Sequence, residues 1–231
     1  MTDSNGLARF TGGSIAGRQA RLPAPLGDLH RAVLRRFLET GAAPTARWVR
    51  QAAAELGLDA AAVDELDAAD AIHVSNGVVT VAYPFSGTPT PHRVELDGLP
   101  PVYAMCAIDA LGLPLMAGRD GQITSADPRD GAPVVVSAHG GTWTWSPPGA
   151  VVVIARATDC GTECGSFETM CPNTVFHASR ESARAYLAGR GDLDAEILDQ
   201  DTAVERGRLN FGPLLGGPAR PPGDWKTRGQ R

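Results

Sequence analysis

The sequence has few of the features that mark membrane proteins and secreted proteins. It contains four cysteines in 231 residues and 6% aromatic residues, and its apolar runs, such as VVVIA at 151–155, are brief. A helix that spans a membrane needs about 20 predominantly apolar residues, so the sequence predicts no such helix. An apolar stretch of the length found in signal peptides is also missing from the N-terminus. We therefore expect a cytoplasmic protein whose cysteines are free thiols rather than disulfides.

An excess of positive charge is missing as well. The formal net charge is −5, with 26 acidic residues against 21 basic ones. An acidic protein does not attract nucleic acids or anionic membrane surfaces, so we expect neither as a partner. The cluster Arg31, Arg35 and Arg36 is the main local exception, and on a helix such a cluster is usually a solvated face.

The first organised part of the chain combines helices with a hairpin. Leu29, Val33 and Phe37 recur at helical spacing, and the segments PTARWVRQAAAELGL and AAAVDELDAAD continue as two further helices. Asn76-Gly77 then lies between two β-branched runs, which is a strong hairpin signal. Three helices followed by a hairpin are the pattern of a winged-helix unit.

Winged-helix units often bind DNA, so a regulator is one hypothesis for this part of the chain. The segment that would act as recognition helix, AAAVDELDAAD, contains acidic side chains and no basic one. Duplex binding requires Lys and Arg against the phosphates, and this helix would repel DNA. The composition therefore favours a helical module that packs against a second domain.

The second part of the chain alternates short strands and helices. The strand candidates include HRVEL, APVVVSA, GTWTW and VVVIARA, without the long spacing of a doubly wound fold. The predicted fold class is α+β, in which a mixed or antiparallel sheet with flanking helices follows the winged-helix-like unit. The predicted organisation is a loose N-terminal arm (1–25), a winged-helix-like domain (26–88), a second domain that contains the sheet (89–215) and a flexible C-terminal tail (216–231).

A thiol and a carboxylate stand close together in the stretch YAMCAIDALG. Pro101 is suited to the first position of a helix, which would put Cys106 in the second turn and Asp109 one turn further on. Cβ atoms at this spacing lie about 5–6 Å apart. The pair could be a nucleophile with a proton carrier. Alternatively, Cys106 is a buried core residue and Asp109 pairs with an arginine.

The other three thiols fall within twelve residues of one another. Cys160, Cys164 and Cys171 lie in a Gly- and Thr-rich segment, and such thiols suit a soft metal ion. A structural zinc site is the competing interpretation, with His177 as a possible fourth ligand. Zinc sites usually contain closely spaced pairs of ligands, which Cys-x3-Cys-x6-Cys matches poorly.

Two motifs resemble those of the organomercurial (alkylmercury) lyase family. YAMCAIDALGLPLMAG is similar to the first-cysteine motif of that family, and CPNTVFHASRESARAYLAG is similar to its second-cysteine motif. ITSADPRDGAPVVVS resembles the sheet segment between them, and the winged-helix-like unit belongs to the same architecture. The resemblance covers roughly residues 28–215.

This resemblance implies a function. Cys106 and Cys171 match the two catalytic cysteines and Asp109 the catalytic aspartate of enzymes that cleave a carbon–mercury bond by protonolysis. The products would be a hydrocarbon and Hg(II) bound by Cys106 and Cys171. The resemblance implies no cofactor, release assisted by external thiols, and a mercuric reductase as the acceptor of Hg(II).

The sequence also departs from the family pattern. Cys160 and Cys164 are not part of the family motifs and are candidate additional metal ligands: they could relay Hg(II) outward, bind another metal or pair with Cys171. Met105 stands where the family often has an aromatic residue. Two alternatives therefore stay open: a lyase-like enzyme acting on an organotin or a carbon–sulfur bond, and a non-catalytic thiol metal-binding or sensor protein.

Overall fold

The structure is a computed structural model that describes residues 15–158 and 165–216. The helices are α1 (Ile15–Arg21), α2 (Ala24–Thr40), α3 (Ala46–Glu55), α4 (Ala62–Ala68), α5 (Ala107–Ala117), α6 (Ser166–Thr169), α7 (Arg180–Leu187) and α8 (Gln200–Phe211). The strands are β1 (Ile72–Ser75), β2 (Val78–Ala82), β3 (Phe85–Ser86), β4 (Arg93–Leu96), β5 (Val102–Ala104), β6 (Gly121–Ala126), β7 (Pro133–His139), β8 (Thr142–Ser146), β9 (Val151–Ala157), β10 (Val175–His177) and β11 (Leu193–Leu198).

The three predicted N-terminal helices are α2, α3 and α4. α2 buries the face that contains Leu29, Val33 and Phe37, and it ends at Gly41. Gly41 adopts a left-handed conformation with φ of 66° and donates its N–H to the carbonyl of Phe37, an arrangement that glycine makes without steric cost. Thr45 caps α3 by accepting a hydrogen bond from the N–H of Trp48.

The predicted hairpin is formed by β1 and β2, which pair antiparallel. Asn76 and Gly77 have φ of 51° and 76°, the positive values that a tight two-residue hairpin turn requires. The hairpin continues into a large sheet, since Ala82 on β2 is the partner of Phe85 on β3. The N-terminal helices are thereby attached to the strands that precede α5.

The strands of the described residues form two antiparallel sheets, which confirms the α+β class. The larger has eight strands in the order β1-β2-β3-β5-β4-β6-β7-β8, and the smaller has the order β10-β9-β11. The larger sheet crosses the predicted boundary between residues 88 and 89, because Phe85 on β3 pairs with Ala104 on β5. The division of the chain into domains stays a prediction.

The stretch that we expected to be a loose arm contains a helix. Residues 15–21 form α1, which buries Ile15 and Gln19. The Nε2 of Gln19 lies 2.9 Å from the Nδ1 of the fully buried His30 on α2. The burial of Ile15 and this polar contact explain why a segment without clear periodicity is ordered as a helix. Residues 1–14, and the predicted tail from 217 onward, lie outside the described residues.

The helix α5 lies in the core and packs closely on α8. A Cβ atom placed on Gly112 would lie 2.9 Å from the Cβ of Phe211, and one placed on Gly207 would lie 3.1 Å from the backbone nitrogen of Gly112. The two glycines therefore permit this close approach. Within the described ranges, none of the helices has the length and apolar character needed to cross a membrane.

Candidate active site

Cys106 is the residue at which α5 begins. Its backbone is extended, and its Sγ accepts a hydrogen bond from the N–H of Asp109 at 3.5 Å, so it is the N-cap of the helix. The expectation that the helix begins at Pro101, with Cys106 in its second turn, is wrong. Residues 102–104 pair as β5 with both β3 and β4, and this pairing delays the start of the helix. The thiol consequently lies at the positive end of the helix dipole.

Asp109 lies in the first turn of α5 and is only 3% exposed. Burial raises the pKa of its carboxyl group from 3.8 to about 7. Hydrogen bonds with Cys106 and Cys171, and the charge of Arg18, oppose this shift without cancelling it. A carboxyl group with such a pKa can both accept and donate a proton near neutral pH.

Cys171 lies beside Asp109, although it is 62 positions later in the chain. It begins a short 3₁₀ helix, Cys171–Asn173, directly after α6, and its Sγ donates to the Oδ2 of Asp109 at 3.7 Å. The carbonyl of Thr174 accepts the N–H of Ala107 at 3.0 Å, so the segment that follows Cys171 is joined to the first residue of α5. The ligand atoms of Cys106, Asp109 and Cys171 all lie within 4.8 Å of one another.

Both thiols are 6% exposed, and their surroundings favour the protonated form. Burial raises the pKa of Cys106 well above 9.0, and the neighbouring Cys171 and Asp109 raise it further. For Cys171 the hydrogen bond with Cys106 lowers the pKa, but burial and the charge of Asp109 together raise it above 9.0. A soft metal that binds here would therefore have to displace the thiol protons, for which Asp109 is the adjacent acceptor.

A cavity of about 70 Å³ adjoins the three groups, which is room for a few water-sized groups. Its apolar wall includes Ile108, Ile154, Met170 and Phe211. Its polar lining residues include Arg18, Tyr83, Ser166, Thr174 and Asn210. Among the described residues that line the cavity, only Arg18 has a basic side chain.

Sequence reasoning missed the contribution of the N-terminal region to this cavity. Arg18 belongs to the stretch interpreted as a loose arm, and Tyr83 follows the hairpin. The periodicity of α2 and the hairpin signal indicate local structure only. Neither contains information about which side chains face a cavity whose other lining residues lie far away in the chain.

His177, the possible fourth ligand of a zinc site, is not part of the group that Cys106, Asp109 and Cys171 form among the described residues. It is fully buried, and its Nδ1 lies 3.1 Å from the Oδ1 of Asp127 and 3.2 Å from the Oγ of Ser182. Asp127 also accepts the N–H of Ala178 at 2.9 Å, so these contacts connect the end of β6 to the start of α7. Cys160 and Cys164 lie outside the described residues.

The fold and the site together define an α+β protein with a buried dithiol–carboxylate centre. The family model of the alkylmercury lyases matches residues 85–212, and the chain belongs to that family. The matched region begins in β3, just after the hairpin, and includes Cys106, Asp109 and Cys171. The resemblance of the two cysteine motifs to this family is thereby confirmed.

Individual relatives agree with the family match. An alkylmercury lyase of Staphylococcus epidermidis is 31% identical over 129 residues, which is 55% of this chain and 57% of the relative. An alkylmercury lyase of Streptomyces lividans is 30% identical over 135 residues, which is 58% of this chain and 60% of the relative. The chain thus matches about three fifths of the length of these two proteins.

A solved structure shows the same fold over most of the chain. The mercury-bound form of MerB2 superimposes with a TM-score of 0.69 at 21% identity, covering 87% of this chain and 96% of that one. At this identity the likeness shows a shared fold. Because the comparison covers 87% of this chain, it includes most of the N-terminal helices and the hairpin, which precede the family match.

Proposed function

We propose that this protein is an organomercurial lyase, which cleaves a carbon–mercury bond by protonolysis and releases a hydrocarbon and Hg(II). The observation that supports this most directly is the convergence of Cys106, Asp109 and Cys171 at one cavity, with their ligand atoms within 4.8 Å. Mercury is a soft metal that prefers thiolate ligands, and breaking its bond to carbon requires a proton. The site contains both kinds of group.

In the proposed reaction the thiol of Cys106 binds the mercury atom of the substrate first and releases its proton together with the original ligand of the metal. Cys171 then binds the same mercury atom. Its proton passes to the carboxylate of Asp109, whose Oδ2 already lies 3.7 Å from the Cys171 Sγ. The pKa of Asp109, raised by burial to about 7, suits a group that takes up this proton and soon gives it away.

Protonation of carbon completes the cycle. Electron donation from two thiolates makes the mercury-bound carbon more basic, and the carboxyl group of Asp109 donates its proton to that carbon. The carbon–mercury bond breaks, the hydrocarbon leaves, and Hg(II) stays bound to Cys106 and Cys171. The Cys106 proton leaves with the original ligand of the metal, and the Cys171 proton ends in the hydrocarbon. Two external thiols that take up Hg(II) return two protons to Cys106 and Cys171 and so restore the starting state.

The same proposal also concerns the cofactors, the partners and the location of the protein. No separate cofactor is required, because the two thiols and the carboxyl group supply the ligands and the proton. External thiols would remove Hg(II), with a mercuric reductase as its eventual acceptor, and the protein would act in the cytoplasm on small organomercurials. The net charge of −5 supports the expectation that neither a nucleic acid nor a membrane is a partner.

The N-terminal unit has a supporting role in this proposal. We infer that α2, α3, α4 and the β1–β2 hairpin are a winged-helix-like unit that packs against the catalytic part. Asp64, Glu65 and Asp67 make α4 acidic, which supports packing rather than DNA binding. The continuous sheet from β1 to β8 supports the same view.

The first experiment is turnover of phenylmercury by the reduced protein in excess thiol, with benzene measured by gas chromatography. Repeated release of benzene, abolished in Cys106→Ser, Asp109→Asn and Cys171→Ser variants, is the expected result. Stoichiometric uptake of mercury without benzene would contradict the lyase assignment and favour a thiol metal-binding protein. Parallel incubations with an organotin and with a thioether substrate test the two alternative lyase-like reactions.

A further inference from the structure

A carboxylate outside the family match contacts residues that line the cavity. Asp70, in the turn between α4 and β1, has its Oδ2 2.7 Å from the Nη1 of Arg18 and 3.1 Å from the Oγ of Ser166. Its Oδ1 accepts the hydroxyl of Tyr83 at 3.1 Å and lies 2.7 Å from the Nε2 of His73. We call these five residues the Asp70 cluster.

The members of the Asp70 cluster come from separate parts of the fold. Arg18 belongs to α1, His73 to β1, and Ser166 is the first residue of α6, five positions before Cys171. Arg18, Tyr83 and Ser166 also line the cavity. Asp70 therefore connects the N-terminal unit to α1 and to α6, and each of these two helices contributes a lining residue to the cavity.

Several contacts hold this arrangement in place. The Nη1 of Arg18 donates to the Oγ of Ser166 at 3.2 Å, and its guanidinium lies 5.5 Å from the centre of the Tyr83 ring. The backbone N–H of Ser166 donates to the Oδ2 of Asp70 at 3.4 Å. The backbone of Asp70 adopts φ of 50°, a left-handed conformation that costs free energy and that surrounding contacts must stabilise.

We propose that Asp70 is a positioning residue for the candidate site: by holding Arg18 and Ser166 it fixes α1 and the segment from Ser166 to Cys171, and so sets the position of Cys171 opposite Cys106. The proposal rests on the proposed function for its catalytic consequence. Asp70 and Arg18 both precede residue 85, where the family match begins.

Asp70 can affect the position of Cys171 because only four residues separate Ser166 from Cys171. α6 is a single four-residue turn, so displacement of its first residue moves the 3₁₀ helix that follows, in which Cys171 is the first residue. The hydrogen bonds to the Asp70 carboxylate are charge-assisted and stronger than bonds between neutral groups. A displacement of about 1 Å at a reacting group can reduce the rate by about 10²-fold.

The test measures the proximity of the two thiols without relying on turnover. In a Cys160→Ser, Cys164→Ser background only Cys106 and Cys171 have thiols, and diamide oxidises a close pair to a disulfide by accepting two electrons and two protons. The rate of disulfide formation is compared between this double-serine protein and the same protein with the additional change Asp70→Asn. Asparagine tolerates positive φ, so this change removes the charge without adding backbone strain.

Asp67→Asn is the matched control. The Asp67 carboxylate lies 2.9 Å from the Nδ1 of His73. The backbone carbonyl of Asp67 also accepts the N–H of Asp70 at 2.8 Å, a contact that Asp67→Asn retains. We expect disulfide formation to slow about tenfold in Asp70→Asn and to stay within about twofold in Asp67→Asn. In the same proteins we expect kcat for phenylmercury to fall at nearly constant KM in Asp70→Asn only.

Disulfide formation at the parental rate in a folded Asp70→Asn protein would overturn the proposal, as would an equal loss in Asp67→Asn. If Asp70→Asn does not fold, Ser166→Ala decides: slower disulfide formation supports the proposal, and an unchanged rate overturns it. A parental protein that releases no benzene would contradict the lyase function. The disulfide measurement would still test the role of Asp70.

Discussion

The thiol of Cys171 donates to the Oδ2 of Asp109 across 3.7 Å, although the two residues are 62 positions apart in the chain. Asp109 in turn donates its backbone N–H to the Sγ of Cys106 at 3.5 Å. One carboxylic acid residue therefore contacts both thiols, through its side chain and through its backbone. In the proposed reaction, Asp109 is therefore placed to carry a proton from sulfur to the mercury-bound carbon.

Replacing Asp109 by Asn should abolish hydrocarbon release and leave mercury binding largely intact. The amide cannot carry the proton, while both thiols remain, and positioned proton transfer typically contributes about 10²–10⁴-fold to a rate. Benzene formation from phenylmercury and retention of Hg(II) after dialysis are the two measurements. The exposed Asp97→Asn is a suitable control. Turnover of Asp109→Asn within about tenfold of the original protein would contradict this role.

Replacing Cys171 by Ser should stop the reaction after the first mercury–sulfur bond. A hydroxyl group is a poor ligand for a soft metal, so Cys106 alone would hold the organomercurial. We expect mass spectrometry to show an intact phenylmercury adduct on the protein, with no benzene in the headspace. Benzene release by Cys171→Ser would mean that a different thiol supplies the second ligand, and Cys160 and Cys164 would be the first candidates.

The buried carboxyl group of Asp109 should make the free energy of unfolding depend on pH. Its pKa is about 7 in the folded protein and near 3.8 when exposed, so the unfolded chain ionises first as the pH rises. Stability from the protonated group is fully present below about pH 4 and is lost as the pH approaches 7, by about 4 kcal/mol in total. Asp109→Asn should therefore be more stable than the original protein at pH 8.

Urea unfolding under reducing conditions at pH 4, 6 and 8 tests this expectation. The difference between the two proteins should grow with pH and nearly vanish at pH 4. The thiols, whose pKa values are raised in the fold, stay protonated in this range and do not contribute. A difference that is constant with pH would show that Asp109 is not titrating as described.

Replacing Gly112 by Ala should loosen the contact between α5 and α8. The added Cβ would lie well inside contact distance of the Phe211 side chain, which also lines the cavity. Overpacking of this kind typically costs about 1–3 kcal/mol. Thermal unfolding should show a lower midpoint, with turnover reduced in parallel. Gly189→Ala is the matched control, because nothing lies within 4 Å of its added Cβ; an equal loss there would contradict the explanation.

Local patterns in the sequence were sufficient to predict much of the fold. The spacing of Leu29, Val33 and Phe37 predicted α2, since burial of one helical face follows directly from that periodicity. The dipeptide Asn76-Gly77 predicted the hairpin because few other residues adopt positive φ at low cost. The two cysteine motifs likewise indicated the family, which the match over residues 85–212 confirms.

Other features were decided by the tertiary structure alone. The start of α5 at Cys106 depends on the pairing of β5 with β3 and β4, and the ordering of Arg18 on α1 depends on burial against other helices. The proximity of Cys171 to Asp109 depends on how distant segments pack. Periodicity and turn signals describe interactions between residues near in sequence, whereas sheet pairing, burial and the raised pKa of Asp109 arise only when distant segments exclude water from the same space.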